Sequence, residues 1–167
     1  LLSESGIHLD KRIRLLMGCD EESGSECMQY YAQHGEPICA GFTPDGYFPG
    51  IHGEKGGCSM AAYSKHTQIL SMNGGFVTNA VCSRCTTVIP ASCVDEDALK
   101  EALSKTALTS YTVTAENDTL VIHAQGTAAH ASTPLLGVNA AACTMQALQN
   151  AGMKDDFVDF YMSHLGT

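Results

Sequence analysis

Residues 110–126, SYTVTAENDTLVIHAQG, decide how the chain is built. SYTVTA and TLVIHAQG are rich in Thr, Val, Ile and Tyr, which suit a half-buried pleated surface, and END (116–118) between them is turn-forming. The stretch therefore reads as a hairpin, and a hairpin is antiparallel. Upstream, Asp95 is placed to cap a helix over DEDALKEALSKTA, whose Leu99 and Leu103 stand at i and i+4. Downstream, GVNAAACTMQALQNAG reads as a helix that ends near Gly152. Further strands are expected at 57–64, around 68–72 and at 77–89. Strands, helix, strands, helix predict an α+β body with helices on one face of an antiparallel sheet.

The first third reads differently. RIRLLM (12–17) is a short apolar, β-tolerant run ending at Gly18, and SGSECMQYYAQH (23–34) places Cys27, Tyr30 and Tyr31 at helical spacing before Gly35 and Pro37. ICAGF (38–42) reads as a second strand and TPDGYFP (43–49) as a turn. Strand, helix, strand predicts a small parallel α/β unit, whose ligands bind at the carboxyl ends of the strands. The Gly-rich, charged GIHGEKGG (50–57) is the expected linker, giving domains at 1–56 and 57–167.

Composition narrows the function. Eighteen acidic residues against nine basic leave a net charge of -9 over 167 residues, which argues against nucleic acid and against an anionic membrane as partner. With 44% hydrophobic residues the chain can bury a real core. The start of the sequence lacks the pattern of a secretory signal, and no run reaches the roughly 18 apolar residues of a membrane span. A cytoplasmic protein whose eight cysteines are reduced thiols is expected. The sequence opens without Met in the middle of a pattern, so it reads as an internal piece of a longer protein.

Asp20, Glu21 and Glu22 follow the first predicted strand and precede a helix. Their bland role is to complement the helix dipole. Their chemical role would be shared, one carboxylate ligating a metal while its neighbour serves as a base. TPDG (43–46) is a turn signature, yet it places Asp45 at the same predicted edge as Glu22, and two hard oxygen ligands make an incomplete zinc or manganese site. CSRC (82–85) has neither a second Cys pair nor a helix start beside it, so these thiols read as packing residues.

MGCDEESG (17–24), GFTPDGYFP (41–49), HGEKG (52–56) and GTAAHASTPLLGVNAA (126–141) occur in this order. Together they resemble the aminoacylase/carnosinase family of dinuclear zinc exopeptidases, and the TPDGYFP and GEKG forms are more similar to the bacterial Xaa-His dipeptidases than to the deacylases or tripeptidases. The resemblance implies that 1–56 is a fragment of a catalytic zinc-peptidase domain and 57–167 the first part of a lid domain. It implies Glu21 as the general base, Glu22 as ligand to one zinc and Asp45 as ligand to the other. Asn79 and His130 would reach from the lid toward the substrate carbonyl oxygen and backbone. Two zinc ions, with manganese or cobalt as substitutes, a dipeptide substrate and a homodimer formed through the lid are implied in the same way.

The chain also departs from that family. The upstream His-x-Asp motif, the metal-bridging aspartate in a Gly-Asp-Asp context and the late histidine ligand do not occur, and His8 in GIHLDK lies too close to Glu21 to replace the first. The piece is therefore expected to bind zinc weakly and to be inactive alone. Two other readings stand beside the dipeptidase. One is a related N-acyl amino acid deacylase or tripeptidase, and the other is an association module without catalysis, pairing with another copy through a sheet edge or its helices.

Overall fold

A computed structural model describes residues 4–44, 46, 50–53, 56, 60–61 and 63–166. Two compact units divide the chain, Leu1–Gly53 and Glu54–Thr167.

The second unit is built on the hairpin. β1 (Ser71–Gly74), β2 (Arg84–Pro90), β3 (Ser110–Glu116) and β4 (Thr119–Gln125) form one sheet in the order β1-β2-β4-β3, with every neighbouring pair antiparallel. Between β3 and β4 the chain reverses through Asn117 and Asp118, both at positive φ (44° and 64°), the geometry that matches a hairpin to the twist of its strands. Side chains alternate along the ladder. Cys85, Thr87 and Ile89 of β2 and Leu120, Ile122 and Ala124 of β4 are buried, while Arg84, His123 and Gln125 between them are exposed.

α2 (Glu96–Ser104), α3 (Ala140–Asn150) and α4 (Asp156–His164) complete the unit. They join the buried face of the sheet in one core, in which Ile89, Leu120 and Ile122 pack with Leu99, Leu148 and Val158. Each such side chain contributes about 1.5–3 kcal/mol on leaving water. Each helix starts on an acid or amide. The Asp95 carboxylate accepts from the Ala98 N–H at 2.9 Å, Asn139 accepts from Ala141 and Ala142 at 3.1 Å each, and Asp155 accepts from Phe157 and Val158 at 2.9 and 3.1 Å. The fold is α+β, an antiparallel sheet with helices on one face.

Several sequence expectations are corrected. The strand expected at 77–89 begins only at Arg84, and the one expected around 68–72 is β1 at 71–74. The described residues of 57–64 join no strand, and α4 was not foreseen. In the first unit the described residues hold a 3₁₀ turn, Glu21–Ser23, and one helix, α1 (Glu26–His34), but no ladder. Residues 12–17 and 38–42, read as parallel strands, lie unpaired. A parallel strand has no hydrogen bonds of its own and exists only against a neighbour, which sequence pattern alone cannot supply. Residues 12–14 lean on the end of α1 instead, where Arg12 pairs with Glu36 at 3.1 Å and Arg14 bonds the Tyr31 hydroxyl and Glu36.

Candidate active site

In the first unit the three acids stand in different places. Asp20 is half-buried and caps α1 from a distance, its carboxylate accepting from the Glu26 N–H at 2.6 Å and the Cys27 N–H at 3.3 Å. The Cys27 side chain and these amides hold the Asp20 carboxyl below the usual carboxylate range. Ser25, the residue before the helix, is left-handed (φ 54°) and gives no side-chain cap, which leaves that place to Asp20. The dipole-complementing role of this cluster thus belongs to Asp20.

Glu21 and Glu22 stand exposed on the 3₁₀ turn. At three residues per turn, neighbours leave a 3₁₀ helix about 120° apart. Asp45 lies outside the described residues. Among the described residues no group of three or more His, Cys, Asp and Glu side chains could hold a metal ion. Hard carboxylate oxygens suit a divalent cation, but the described residues do not by themselves make a metal site.

In the second unit the structure brings Asn79 and His130 to neighbouring rungs of one short pairing. Ala80 bridges His130, the Val81 N–H donates to the Ala129 carbonyl at 2.9 Å, and the Ala131 N–H donates to the Asn79 carbonyl at 2.8 Å. His130 is exposed and Asn79 half-buried. The loop that carries His130 is closed at its base by Thr127 and Val138, whose amides and carbonyls exchange bonds of 3.0 and 2.9 Å. The same strip continues as Cys82, whose carbonyl accepts from Ala140 at 2.7 Å, and Ser83, whose carbonyl accepts from Gly126 at 2.9 Å. Residues 79–83 therefore serve as a spine between the two arms of the loop. Sequence reading named Asn79 and His130 but missed Ser132, which contacts the imidazole directly. The available signal was a hydroxyl residue two places after the histidine.

Cys82 and Cys85 do not share a function visible here. Cys85 is buried in β2, where burial pushes its thiol up, and Cys82 precedes the strand with its Sγ 3.2 Å from the Arg84 carbonyl oxygen.

No family model matches the chain. Over 165 residues, 93% of this chain and 35% of the relative, it is 28% identical to a Bacillus subtilis protein named "Putative dipeptidase YtjP". Over 151 residues, 84% of this chain and 32% of the relative, it is 30% identical to "Putative dipeptidase SSP1012" of Staphylococcus saprophyticus. A 56-residue stretch is 43% identical to "Putative dipeptidase SAUSA300_1697" of Staphylococcus aureus. The chain thus spans about a third of the length of the first two relatives. No helix among the described residues is long and apolar enough to cross a membrane.

Proposed function

We propose that this chain is part of a metal-dependent dipeptidase that hydrolyses the peptide bond of small dipeptides and is inactive on its own. The observation that carries the reading is the similarity over 93% of the chain to a protein whose name says dipeptidase. In this reading Glu21 takes a proton from the attacking water and returns it to the leaving amine, work for which a positioned carboxylate contributes about 10²–10⁴-fold. His130 donates a hydrogen bond to the oxygen on which negative charge develops, and Asn79 holds the substrate beside it. Glu22 and Asp45 are metal ligands in an environment completed by residues outside this chain, with zinc as the ion and manganese or cobalt as substitutes. Two bound ions would supply Lewis acidity and a more acidic water. The protein acts in the cytoplasm.

A second reading has its own observation. β3 is an edge of the sheet among the described residues, and an open edge of Thr, Val and Tyr can accept a strand of another copy. Homodimerisation through this unit would appear as a doubled mass in light scattering, and a monomer at high concentration speaks against it.

The test of the main reading is dipeptide hydrolysis by the full-length protein with zinc or manganese, beside Glu21→Gln. Cleavage by the wild type and loss in the variant support it. Inertness of the wild type toward dipeptides overturns it, while cleavage of N-acyl amino acids or tripeptides instead would move the substrate class within the same chemistry.

A further inference from the structure

Among the described residues, Ser132 holds the imidazole of His130 through two contacts at one nitrogen. Ser132 donates its backbone N–H to Nδ1 at 3.2 Å, and its hydroxyl lies 2.8 Å from the same atom. A neutral imidazole carries one N–H and one lone pair, and which nitrogen holds the proton follows from its partners. A hydroxyl cannot make that choice alone, because it can donate or accept. A backbone amide can only donate. With the Ser132 N–H aimed at Nδ1, that nitrogen must offer its lone pair, the hydroxyl must donate too, and the proton of the neutral ring sits on Nε2.

The backbone around this contact is fixed on both sides. Ahead of it, Ala80 bridges His130 and the Asn79 carbonyl accepts from Ala131. Behind it, the Thr133 N–H donates to the His130 carbonyl at 2.9 Å, and Pro134 opens the 3₁₀ turn Pro134–Leu136. The Ser132 amide therefore cannot swing away from the ring without breaking bonds that anchor the loop.

We infer that Ser132 is the positioning residue of His130, holding Nδ1 as an acceptor so that the neutral ring presents Nε2–H as a donor. The inference rests on the reading of His130 as a donor to the substrate carbonyl oxygen. For that task the tautomer decides everything, since a ring protonated on Nδ1 would turn a lone pair toward an oxygen gathering negative charge. Ser132 itself touches no substrate. It fixes which nitrogen of its neighbour does.

The experiment has two arms. In the 167-residue chain, ring ¹⁵N shifts at a pH where His130 is neutral, assigned by loss of the signal in His130→Gln, report the tautomer. Nε2 should be protonated and Nδ1 bare in the wild type; Ser132→Ala keeps the amide, whose 3.2 Å contact is the longer, and loses the 2.8 Å hydroxyl contact, so the two shifts should move part of the way toward each other, and Ser132→Thr should restore them. A proton on Nδ1 in the wild type, or unchanged shifts in Ser132→Ala, overturns the inference. In the full-length protein, Ser132→Ala should lower kcat on the order of tenfold with little change in KM, again restored by Ser132→Thr. If Ser132→Ala moves the tautomer while His130→Ala leaves hydrolysis intact, the positioning role stands and the reading of His130 beneath it falls. If the tautomer does not move while His130→Ala abolishes hydrolysis, the reverse holds.

Discussion

The Thr67 hydroxyl donates to the Asp155 carboxylate at 3.0 Å, joining positions 88 residues apart. The same oxygen, Oδ2, accepts from the Gln68 N–H, while Oδ1 caps α4 through Phe157 and Val158. One side chain, 5% exposed, thus starts the last helix and ties down the segment that enters β1. Asp155→Ala leaves these donors without an acceptor and is expected to cost about 1–3 kcal/mol in urea unfolding of the chain. Asp155→Asn should cost less, because its amide oxygen can still cap α4.

The same carboxylate gives a pH dependence. Burial pushes Asp155 up, but the bonds from Gln68, Val158, Thr67 and Phe157 outweigh it and hold the group below the usual carboxylate range. Folded Asp155 therefore binds its proton less readily than the unfolded chain does. Its contribution to stability is complete above the ordinary carboxyl value of about 3.9 and is lost as pH falls through the lower folded value. Unfolding midpoints measured from pH 6 downward should fall less steeply in Asp155→Asn than in the wild type, and parallel curves would show that Asp155 does not carry this term.

Gly126 marks the base of the His130 loop. A Cβ built there would stand 2.0 Å from the Val138 carbonyl oxygen, an atom held in the Thr127–Val138 pair. Backbone cannot yield as a flexible side chain does. Gly126→Ala should destabilise the chain by about 1–3 kcal/mol through forced displacement of that pair. Amide exchange would locate the damage, with protection lost first at Thr127 and Val138, and unchanged protection there would refute the account.

What was legible in the sequence is what is local. The hairpin about END, the cap at Asp95, the Leu99 and Leu103 pair and the helix after Asn139 each depend on residues within a few positions of one another. The strand foreseen at 77–89 was too long because residues 79–83 give their backbone bonds to Ala129, Ala131, Gly126 and Ala140 rather than to a ladder. That choice depends on a loop some fifty residues on, and periodicity contains nothing of it. For the same reason the sequence named Asn79 and His130 separately but could not show that they share one pairing. α4, no shorter than α1 or α2, escaped notice, and the carboxylate that starts it is stabilised by Thr67 and Gln68, far away in the chain.

Burial separates the thiols. Cys19 and Cys39 are exposed, whereas Cys85 and Cys143 are buried and burial pushes both of their thiols up, leaving less of the reactive thiolate. Alkylation of the folded chain near pH 7.5, followed by peptide mass spectrometry, should label Cys19 and Cys39 early. Cys85 and Cys143 should stay unlabelled until urea opens the second unit. Early labelling of Cys85 would contradict its place in the core beside Ala124 and Ala140.

The adjacent acids on the 3₁₀ turn offer the sharpest test of the proposed roles, because Glu21 and Glu22 are the same residue type and both exposed. They leave the turn about 120° apart. If the proposed function holds, Glu21→Gln in the full-length protein should keep bound zinc and lose roughly 10²–10⁴ in kcat, the share of a general base. Glu22→Gln should lose zinc affinity by at least roughly the 10–100-fold seen for weaker, outer partners of a metal, and added zinc should restore part of its activity. Asp45→Asn should follow Glu22→Gln if both are ligands. Metal content by mass spectrometry after dialysis, read beside hydrolysis, decides the matter. If Glu21→Gln loses zinc and Glu22→Gln keeps it, the two roles are exchanged. If neither changes metal content or rate, Glu21 and Glu22 have no part in catalysis, and the role left to the cluster is the cap that Asp20 gives α1.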